Sequence, residues 1–257
     1  MSGRFLLAQI SDMHIRARSS ADGFDPLARL GEALTAIRSF GADAIIATGD
    51  LVDDERPEEY ALLAGALREA SAPVFLVPGN HDDRDLIRSA FPDHAYLPRA
   101  GLLSYVIEDF PLRLVAIDQM AVGQTGGIFT AGHADWLEAV LSAAPKTPTV
   151  VALHHPPIAT YDQLLDRIGL AHAERLAAVL ARHPQVKRVV CGHHHRAVLG
   201  QIAHAPLFVC PSTAWTFGLA LKPGQPLARR GAETDGWALH VWEETSGMAT
   251  HVMGFGD

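Results

Sequence analysis

The stretch AIIATGDLVD, residues 44–53, joins a run of apolar residues to a turn that contains a glycine and two carboxylates. The apolar run, residues 44–48, has the length and composition of a buried strand. Gly49 follows it, and a residue without a side chain lets the backbone pack closely at the end of the strand. We therefore predict that Asp50 projects from the end of a buried strand, where its carboxylate can take part in a site.

Four other apolar runs end at polar side chains in the same way. The runs are residues 5–10, 74–77, 149–153 and 186–191. Together with Asp50, the candidate ligands at these strand ends are Asp12, His14, Asn80, His154, His193 and His195. Carboxylates and imidazoles bind metal ions, and an α/β sheet gathers its sites from the ends of several strands. The sequence therefore predicts a metal site where these strands end.

Spacing separates these candidates from the other histidines. The pairs Asp12-x-His14 and His193-x-His195 each place two side chains on one side of an extended segment. The same alternation turns His194 away, and we expect neither His194 nor His155 to be a ligand. The other histidines follow no such pattern and are interpreted as ordinary core or surface residues: His94, His133, His172, His183, His204, His240 and His251.

The order of predicted elements indicates an α/β fold. Strands and helices alternate from residue 5 to residue 77, which favours parallel strands joined by right-handed crossovers. The runs 103–107 and 112–117 read as a hairpin, and most short runs after residue 196 read as antiparallel strands. No linker divides the chain, so we predict one domain, residues 1–257. The stretch 211–236, rich in proline and glycine, is either a loop over the site or a connection.

Composition limits the classes of function. The chain has 257 residues, 48% hydrophobic and 19% charged, with a formal net charge of -8. This acidic balance disfavours binding to a nucleic-acid polymer. No apolar stretch has the length of a membrane span or of a signal peptide's apolar region, so we expect a cytoplasmic protein without membrane contact. Cys191 and Cys210 lie in apolar runs and are interpreted as buried, reduced thiols.

The ordered motifs D-x-H, G-D-x-x-D, G-N-H-D, H-x-P and G-H-x-H resemble those of the calcineurin-like binuclear metallophosphoesterases. Within that family the chain is similar to the bacterial class III phosphodiesterases of cyclic nucleotides and glycerophosphodiesters. The resemblance covers roughly residues 12–195. It implies a four-layer α/β/β/α sandwich, in which two mixed β-sheets pack together and helices flank them. The C-terminal part, about residues 196–257, is then expected to complete the second sheet and to contribute to oligomerisation or to a cap over the pocket.

The resemblance also implies how the candidate ligands are shared between two metal ions. Asp12, His14, Asp50 and His195 would hold the first ion. Asp50, Asn80, His154 and His193 would hold the second, so that Asp50 bridges the two. Imidazole ligands favour iron, manganese, zinc or cobalt over magnesium or calcium. The expected nucleophile is a metal-bound hydroxide.

Two further residues are expected to act on the substrate. The resemblance pairs the carboxylate of Asp53 with His81, and such a partner would favour the imidazolium form that protonates a leaving alkoxide. The alternative role for Asp53 is a cap before the helix that begins at Pro57. Substrate contacts are expected from Asn80, His81 and His195. His155 is expected either to contact the substrate or to make a hydrogen bond that supports the site.

The motifs favour hydrolysis of a phosphodiester. Protein phosphatases of the superfamily carry an arginine after the G-D-x-x-D carboxylate, and this chain has Asp54 there. The predicted substrate is a small phosphodiester, either a 3′,5′-cyclic nucleotide such as cAMP or a glycerophosphodiester. The alternatives are a phosphomonoesterase or pyrophosphatase at the same site, and a non-catalytic metal-binding module. A homo-oligomer is expected from the resemblance.

Overall fold

The computed structural model describes residues 3–18, 23–226, 229–230 and 235–255. The five α-helices, α1 to α5, are Pro26–Phe40, Pro57–Leu67, Arg84–Ala90, Ala131–Ala143 and Ala173–Leu180, and a 3-10 helix spans Leu165–Ile168. The strands β1 to β15 are Phe5–Ile10, Ala44–Thr48, Val74–Val77, Tyr105–Ile107, Arg113–Ala116, Gly127–Ile128, Thr149–Ala152, Leu170–Ala171, Val186–Cys191, Val198–Ile202, Ala205–Val209, Thr216–Phe217, Arg229–Arg230, Gly236–Glu243 and Gly247–Gly254.

Two mixed sheets form the centre of the protein. The first sheet has the strand order β15-β14-β1-β2-β3, and the second has the order β10-β11-β9-β7-β5-β4. The strands β1, β2 and β3 are parallel, and so are β5, β7, β9 and β11. Within each sheet these strands therefore end at the same edge. The C-terminal ends of β1 to β3 and of β7 and β9 precede all the candidate ligands.

Alternating side chains of the second sheet show that the protein has four layers. Leu114 and Ala116 of β5 belong to a core cluster that also contains residues of the first sheet and of α1 and α2. Val115, between them, belongs to a second cluster with Leu137 of α4 and Leu176 of α5. Because neighbouring residues of a strand point to opposite faces, the second sheet packs against the first sheet on one face and against helices on the other. This confirms the predicted α/β/β/α sandwich.

Local sequence explains where the first helix begins and ends. The Asp25 carboxylate accepts hydrogen bonds from the backbone N–H groups of Leu27 and Ala28, and Pro26 occupies the first helical position. Gly41 ends the helix with φ 66°, a left-handed conformation that suits glycine.

The C-terminal strands divide between the two sheets, which corrects the expectation that residues 196–257 complete the second sheet. Strands β10 and β11 do join that sheet, but β14 pairs antiparallel with β1, and β15 extends the first sheet beyond it. Trp237 and Leu239 of β14 enter the core shared by the two sheets. The physical reason is that the edge of β1 opposite β2 needs a partner, and an apolar strand provides it.

Both cysteines are buried and form no disulfide bond, as interpreted from the sequence.

In the stretch 211–236, β12 and β13 form a small two-stranded ladder, whereas residues 227–228 and 231–234 lie outside the described part of the chain. In the residues that the structure describes, no helix has both the length and the apolar character needed to cross a membrane.

Candidate metal centre

The seven predicted ligands come together where strands of the two sheets end. The first sheet contributes Asp12, His14, Asp50 and Asn80, and the second contributes His154, His193 and His195. All are buried except Asn80, which is partly exposed. We describe them as two groups that share Asp50. The first half-site is Asp12, His14, Asp50 and His195, and the second half-site is Asp50, Asn80, His154 and His193.

In the first half-site, the four potential ligand atoms lie within 4.8 Å of one another. His14 Nε2 is 3.1 Å from His195 Nε2 and 3.6 Å from Asp50 Oδ2. His195 Nε2 is 3.6 Å from Asp12 Oδ1. Two imidazole nitrogens and two carboxylate oxygens therefore face a common point, which is the ligand mixture that transition-metal ions accept.

Hydrogen bonds at the opposite ring nitrogens fix the proton positions of these two histidines. His14 Nδ1 donates to Asp53 Oδ1 over 2.9 Å, and His195 Nδ1 donates to the Trp215 carbonyl over 2.7 Å. Both partners can only accept, so in the neutral rings the proton is on Nδ1 and Nε2 carries a lone pair. Burial lowers the pKa of His14 and His195, which favours these neutral forms. Two lone pairs that face each other repel, and a shared cation makes the contact favourable.

The second half-site is arranged in the same way around His154. Its Nδ1 donates to the Thr48 carbonyl over 2.8 Å, which leaves Nε2 3.3 Å from Asp50 Oδ1 and 3.2 Å from Asn80 Oδ1. Burial lowers the pKa of His154, but the Asp50 and Asp12 carboxylates and the Thr48 carbonyl together raise it to about 9. Positive charge, carried by a proton or by a metal ion, is therefore favoured between Nε2 and the carboxylate.

His193 supplies the clearest sign that the second half-site fits a metal ion. Its Nε2 is buried and has no hydrogen-bond partner among the residues that the structure describes. A buried polar nitrogen without a partner is costly, and coordination to a metal removes that cost. The donor set of this half-site therefore fits a cation as well as the first does.

Asp50 lies between the two half-sites. Its Oδ2 faces His14 and its Oδ1 faces His154, at 3.6 and 3.3 Å. The backbone N–H of His81 also donates to Oδ1 over 2.9 Å, which helps to fix the carboxylate. One oxygen toward each half-site is the geometry that the predicted bridging role requires.

The environment of the Asp12 carboxylate also favours a positive charge beside it. Burial and the Asp50 carboxylate raise its pKa to about 7, although His154 lowers it. Its oxygens accept from the backbone N–H of His193 at 2.9 and 3.1 Å, which joins the turn after β1 to the turn after β9. Two buried carboxylates this close are stable only with a proton or a cation beside them.

The backbone of the ligand turns is strained. Five of the ligands have left-handed φ angles that residues with side chains rarely adopt, namely Asp12 at 49°, His14 at 43°, Asp50 at 48°, His193 at 70° and His195 at 52°. Such conformations cost roughly 1–3 kcal/mol each and concentrate at functional sites. The left-handed backbone therefore occurs at residues whose side chains meet at the centre.

Three glycines let the turns approach one another. A Cβ added at Gly49 would be 2.3 Å from His154 Nδ1, and one at Gly79 would be 2.2 Å from Asp50 Oδ1. A Cβ added at Gly192 would be 2.0 Å from Ser11 Oγ and 2.7 Å from Asp12 Oδ2. Real carbon atoms do not approach this closely, so each position excludes a side chain.

The pairing of His81 with Asp53 differs in detail from the expectation. His81 Nδ1 donates to the backbone carbonyl of Asp53 over 2.8 Å, whereas the carboxylate binds His14 and, over 2.6 Å, Arg16 Nε. The side chain of Asp53 therefore orients His14. Burial lowers the pKa of His81, but the Asp50 carboxylate and the Asp53 carbonyl raise it more, so that the net shift is upward. The carboxylate of Asp53 does not cap α2, because Glu59 accepts from Asp54 and Arg56 there.

Of the two roles expected for His155, the structure favours a supporting hydrogen bond over a contact with the substrate. The ring is fully buried, Gln119 Nε2 donates to its Nδ1 over 2.8 Å, and its Nε2 donates to the Thr125 carbonyl over 3.0 Å. Both ring nitrogens are therefore hydrogen-bonded, which leaves no lone pair for a metal ion although His155 lies beside His154 and His193.

His194 Nδ1 donates to Thr160 Oγ1 over 3.1 Å, outside both half-sites.

Sequence reasoning missed several residues that support the ligands. Gln119 Oε1 accepts from the backbone N–H of His154 over 3.1 Å, and Asp82 accepts from the N–H groups of Leu51 and Gly79 over 3.1 and 2.8 Å. The Trp215 ring packs against His14 with 4.4 Å between centroids. The only signal for Asp82 was its place after G-N-H. The other contacts depend on distant segments, so no local pattern reports them.

The described part of the stretch 211–236 reaches the metal centre. Trp215 binds His195 and packs on His14, and the Phe217 ring lies 4.6 Å from the His195 ring. The guanidinium of Arg16 lies over the Trp215 ring at 4.8 Å. This segment therefore lines the site. Of the two roles that the sequence left open, a loop over the site is favoured over a connection.

This fold, with polar turns of two sheets around two adjoining half-sites, defines a binuclear metallophosphoesterase scaffold. Residues 5–197 match the calcineurin-like phosphoesterase family. The chain therefore belongs to that family.

Named relatives agree with this assignment. The chain is 35% identical over 216 residues to the glycerophosphodiester phosphodiesterase GpdQ of Enterobacter lignolyticus, a match that covers 81% of this chain and 77% of that protein. It is 30% identical over 264 residues to the cAMP/cGMP dual specificity phosphodiesterase MT0825 of Mycobacterium tuberculosis, covering 98% and 81% of the two chains. A crystal structure of a dimetal phosphatase from Danio rerio superposes with a TM-score of 0.70 at 16% identity, covering 98% and 99%, and shows a similar fold.

We predict that Gly192→Ala disrupts the centre. The new methyl group would lie 2.0 Å from Ser11 Oγ, 2.7 Å from Asp12 Oδ2 and 2.8 Å from the Thr48 carbonyl. The turns must then move apart, and we expect a loss of about 1–3 kcal/mol in the free energy of unfolding, as for overpacked cores. Denaturant unfolding and metal content after loading would measure both effects.

Gly65→Ala is the matched control for this substitution. Gly65 lies in α2, is exposed, and a Cβ there meets nothing within 4 Å. Alanine should raise stability by up to about 1 kcal/mol, because it favours the helix. Unchanged stability and metal content in Gly192→Ala would contradict the close approach described here.

Proposed function

We propose that the protein is a metal-dependent phosphodiesterase that hydrolyses a small phosphodiester, either a 3′,5′-cyclic nucleotide such as cAMP or a glycerophosphodiester. The observation that carries the proposal is the pair of adjoining half-sites that share Asp50, with His81 beside them. Family membership supports it, and so do the two relatives, which are named as phosphodiesterases of these two kinds of diester.

The proposed cofactors are two transition-metal ions, with iron, manganese, zinc or cobalt as candidates. Each ion would share Asp50. The other donors are the amide of Asn80 and five carboxylate or imidazole groups. This set suits these metals better than calcium or magnesium. When bound, such a pair supplies Lewis-acid activation of the phosphoryl group and of water. The remaining steps are proposed for the protein's own residues.

His81 is proposed as the proton donor to the leaving oxygen. Its Nδ1 donates to the Asp53 carbonyl, and its Nε2 has no hydrogen-bond partner in the described part of the chain. The ring stands edge-on to the His14 ring with 4.8 Å between centroids, so it lies next to the first half-site. Asp53 acts indirectly, since its carbonyl orients His81 and its carboxylate orients His14.

The substrate is proposed to enter beside Asn80. Asn80 is partly exposed and lines a cavity of about 160 Å³ together with Glu55, Arg84 and Met120. Asp118 binds the guanidinium of Arg84, which makes this arginine less available to bind the second charge of a phosphomonoester. His195 is buried and has Nδ1 bound to Trp215, which favours a ligand role over the predicted substrate contact.

We predict that the manganese-loaded protein hydrolyses bis(p-nitrophenyl) phosphate at least tenfold faster, by kcat/KM, than p-nitrophenyl phosphate. Release of p-nitrophenolate measures both rates, and cAMP and glycerophosphocholine test the two natural classes of diester. Faster hydrolysis of the monoester would favour a phosphomonoesterase. Hydrolysis of neither ester by protein with bound metal would favour a non-catalytic module.

We predict that His81→Ala lowers kcat on bis(p-nitrophenyl) phosphate by about 10²–10⁴-fold, the range expected for loss of a general acid. Metal stoichiometry should stay at the wild-type value, because His81 is not placed among the ligands. His204→Ala, at an exposed histidine, serves as the control and should leave kcat unchanged. Loss of bound metal in His81→Ala would show that its role is misassigned.

Three further expectations stay predictions. They are the cytoplasmic location, the homo-oligomeric state and a contribution of the C-terminal part to the oligomer.

A further inference from the structure

Gln9 is a polar residue in the fully buried centre of the protein. It belongs to β1 and has no exposed surface. Its Nε2 donates one hydrogen bond to Thr48 Oγ1 and one to the Cys191 carbonyl, both over 2.9 Å. Its Oε1 accepts from His240 Nε2 over 3.0 Å. The carboxamide thus uses both of its donors and its acceptor, which is what a buried amide needs to avoid a desolvation cost.

The partners of Gln9 lie directly before the turns that carry the ligands. Thr48 precedes Gly49 and Asp50 in the first sheet, and Cys191 precedes Gly192 and His193 in the second. Gln9 itself lies three residues before Asp12. One side chain that is not a candidate ligand therefore joins the two sheets immediately below the metal centre.

The orientation of the amide is determined by its surroundings. The Cys191 carbonyl can only accept, so it must face the amide nitrogen, and the amide oxygen must then face His240. His240 Nδ1 accepts from Thr250 Oγ1 over 2.8 Å, which leaves the single proton of the neutral ring on Nε2. Burial lowers the pKa of His240 to about 3, in keeping with a neutral ring. Rotation of the amide would break the contact with the second sheet.

We propose that Gln9 is a positioning residue that sets the separation of the two sheets at the metal centre, and through it the affinity for the metal ions. The proposal deepens the proposed function and rests on it for the metal centre. The ligands of the first half-site come from the turn after β1, from that after β2 and, through His195, from the turn after β9. The bonds of Gln9 hold the bases of these three turns at fixed distances.

The experiment compares Gln9→Met with Gln185→Met. Methionine keeps the length and approximate volume of glutamine but makes no comparable hydrogen bonds. Gln185 is also a buried glutamine, 4% exposed, and its Nε2 donates to the Leu141 carbonyl over 2.9 Å. Gln185 directly precedes β9, whereas the candidate ligands follow the other end of that strand. It therefore matches Gln9 in burial and hydrogen bonding but lies far from the metal centre along β9.

Apo-protein of each variant is titrated with Co²⁺, and visible absorption reports the affinity, stoichiometry and ligand geometry. We expect both variants to lower the melting temperature. Only Gln9→Met should weaken Co²⁺ binding, by about tenfold, the lower end of the range for residues that support ligands, and should change the absorption spectrum. Equal affinities and spectra in the two variants would overturn the proposal, because Gln9 would then contribute to stability alone.

His240→Leu covers the case in which Gln9→Met fails to fold. Removal of the donor to Gln9 Oε1 frees the amide to rotate, and we expect a smaller weakening of Co²⁺ binding in the same direction. Wild-type affinity in folded His240→Leu would overturn the proposal. The titration uses no substrate, so a wild-type protein that binds two Co²⁺ ions but cleaves no diester would refute the proposed function and leave this test intact.

Discussion

The centre depends on the close approach of strand-end turns from two different sheets. The clearest consequence is the 3.1 Å contact between His14 Nε2 and His195 Nε2, two nitrogens whose protons lie on the far side of each ring. Such a contact is unfavourable in itself and becomes favourable around a cation. The left-handed backbone at five ligands and the excluded Cβ positions at Gly49, Gly79 and Gly192 show what this arrangement costs the fold.

The surrounding protein offsets that cost by fixing each ligand at a second point. His14 is held by Asp53, His154 by the Thr48 carbonyl and His195 by the Trp215 carbonyl. Such bonds select the tautomer that presents Nε2 to a metal ion and prevent the ring from turning away. Below them, the apolar core shared by the two sheets gives the turns a rigid base. Strain at the ligands is therefore sustained by packing and hydrogen bonds that are made elsewhere.

The sequence predicted which polar side chains meet at the strand ends because their signal is local. A buried strand reads as an apolar run, and a carboxylate or histidine at its exit, as at Asp50 or His154, stands out against it. The placement of β14 beside β1 could not be read, because strand pairing over more than 200 residues leaves no local pattern. The same holds for the partner of His81: the motif indicated Asp53, but only the folded turn shows that the backbone carbonyl makes the bond. The sequence also left two roles open for His155, because its hydrogen-bond partners, Gln119 and Thr125, come from another segment.

The central claim is that these turns hold two metal ions with Asp50 between them. Anomalous diffraction from crystals of the manganese-loaded protein tests it most directly. The account predicts two peaks about 3.5–4 Å apart, one surrounded by Asp12, His14 and His195 and the other by Asn80, His154 and His193, each within bonding distance of one Asp50 oxygen. A single peak, or peaks at surface carboxylates away from these side chains, would contradict it.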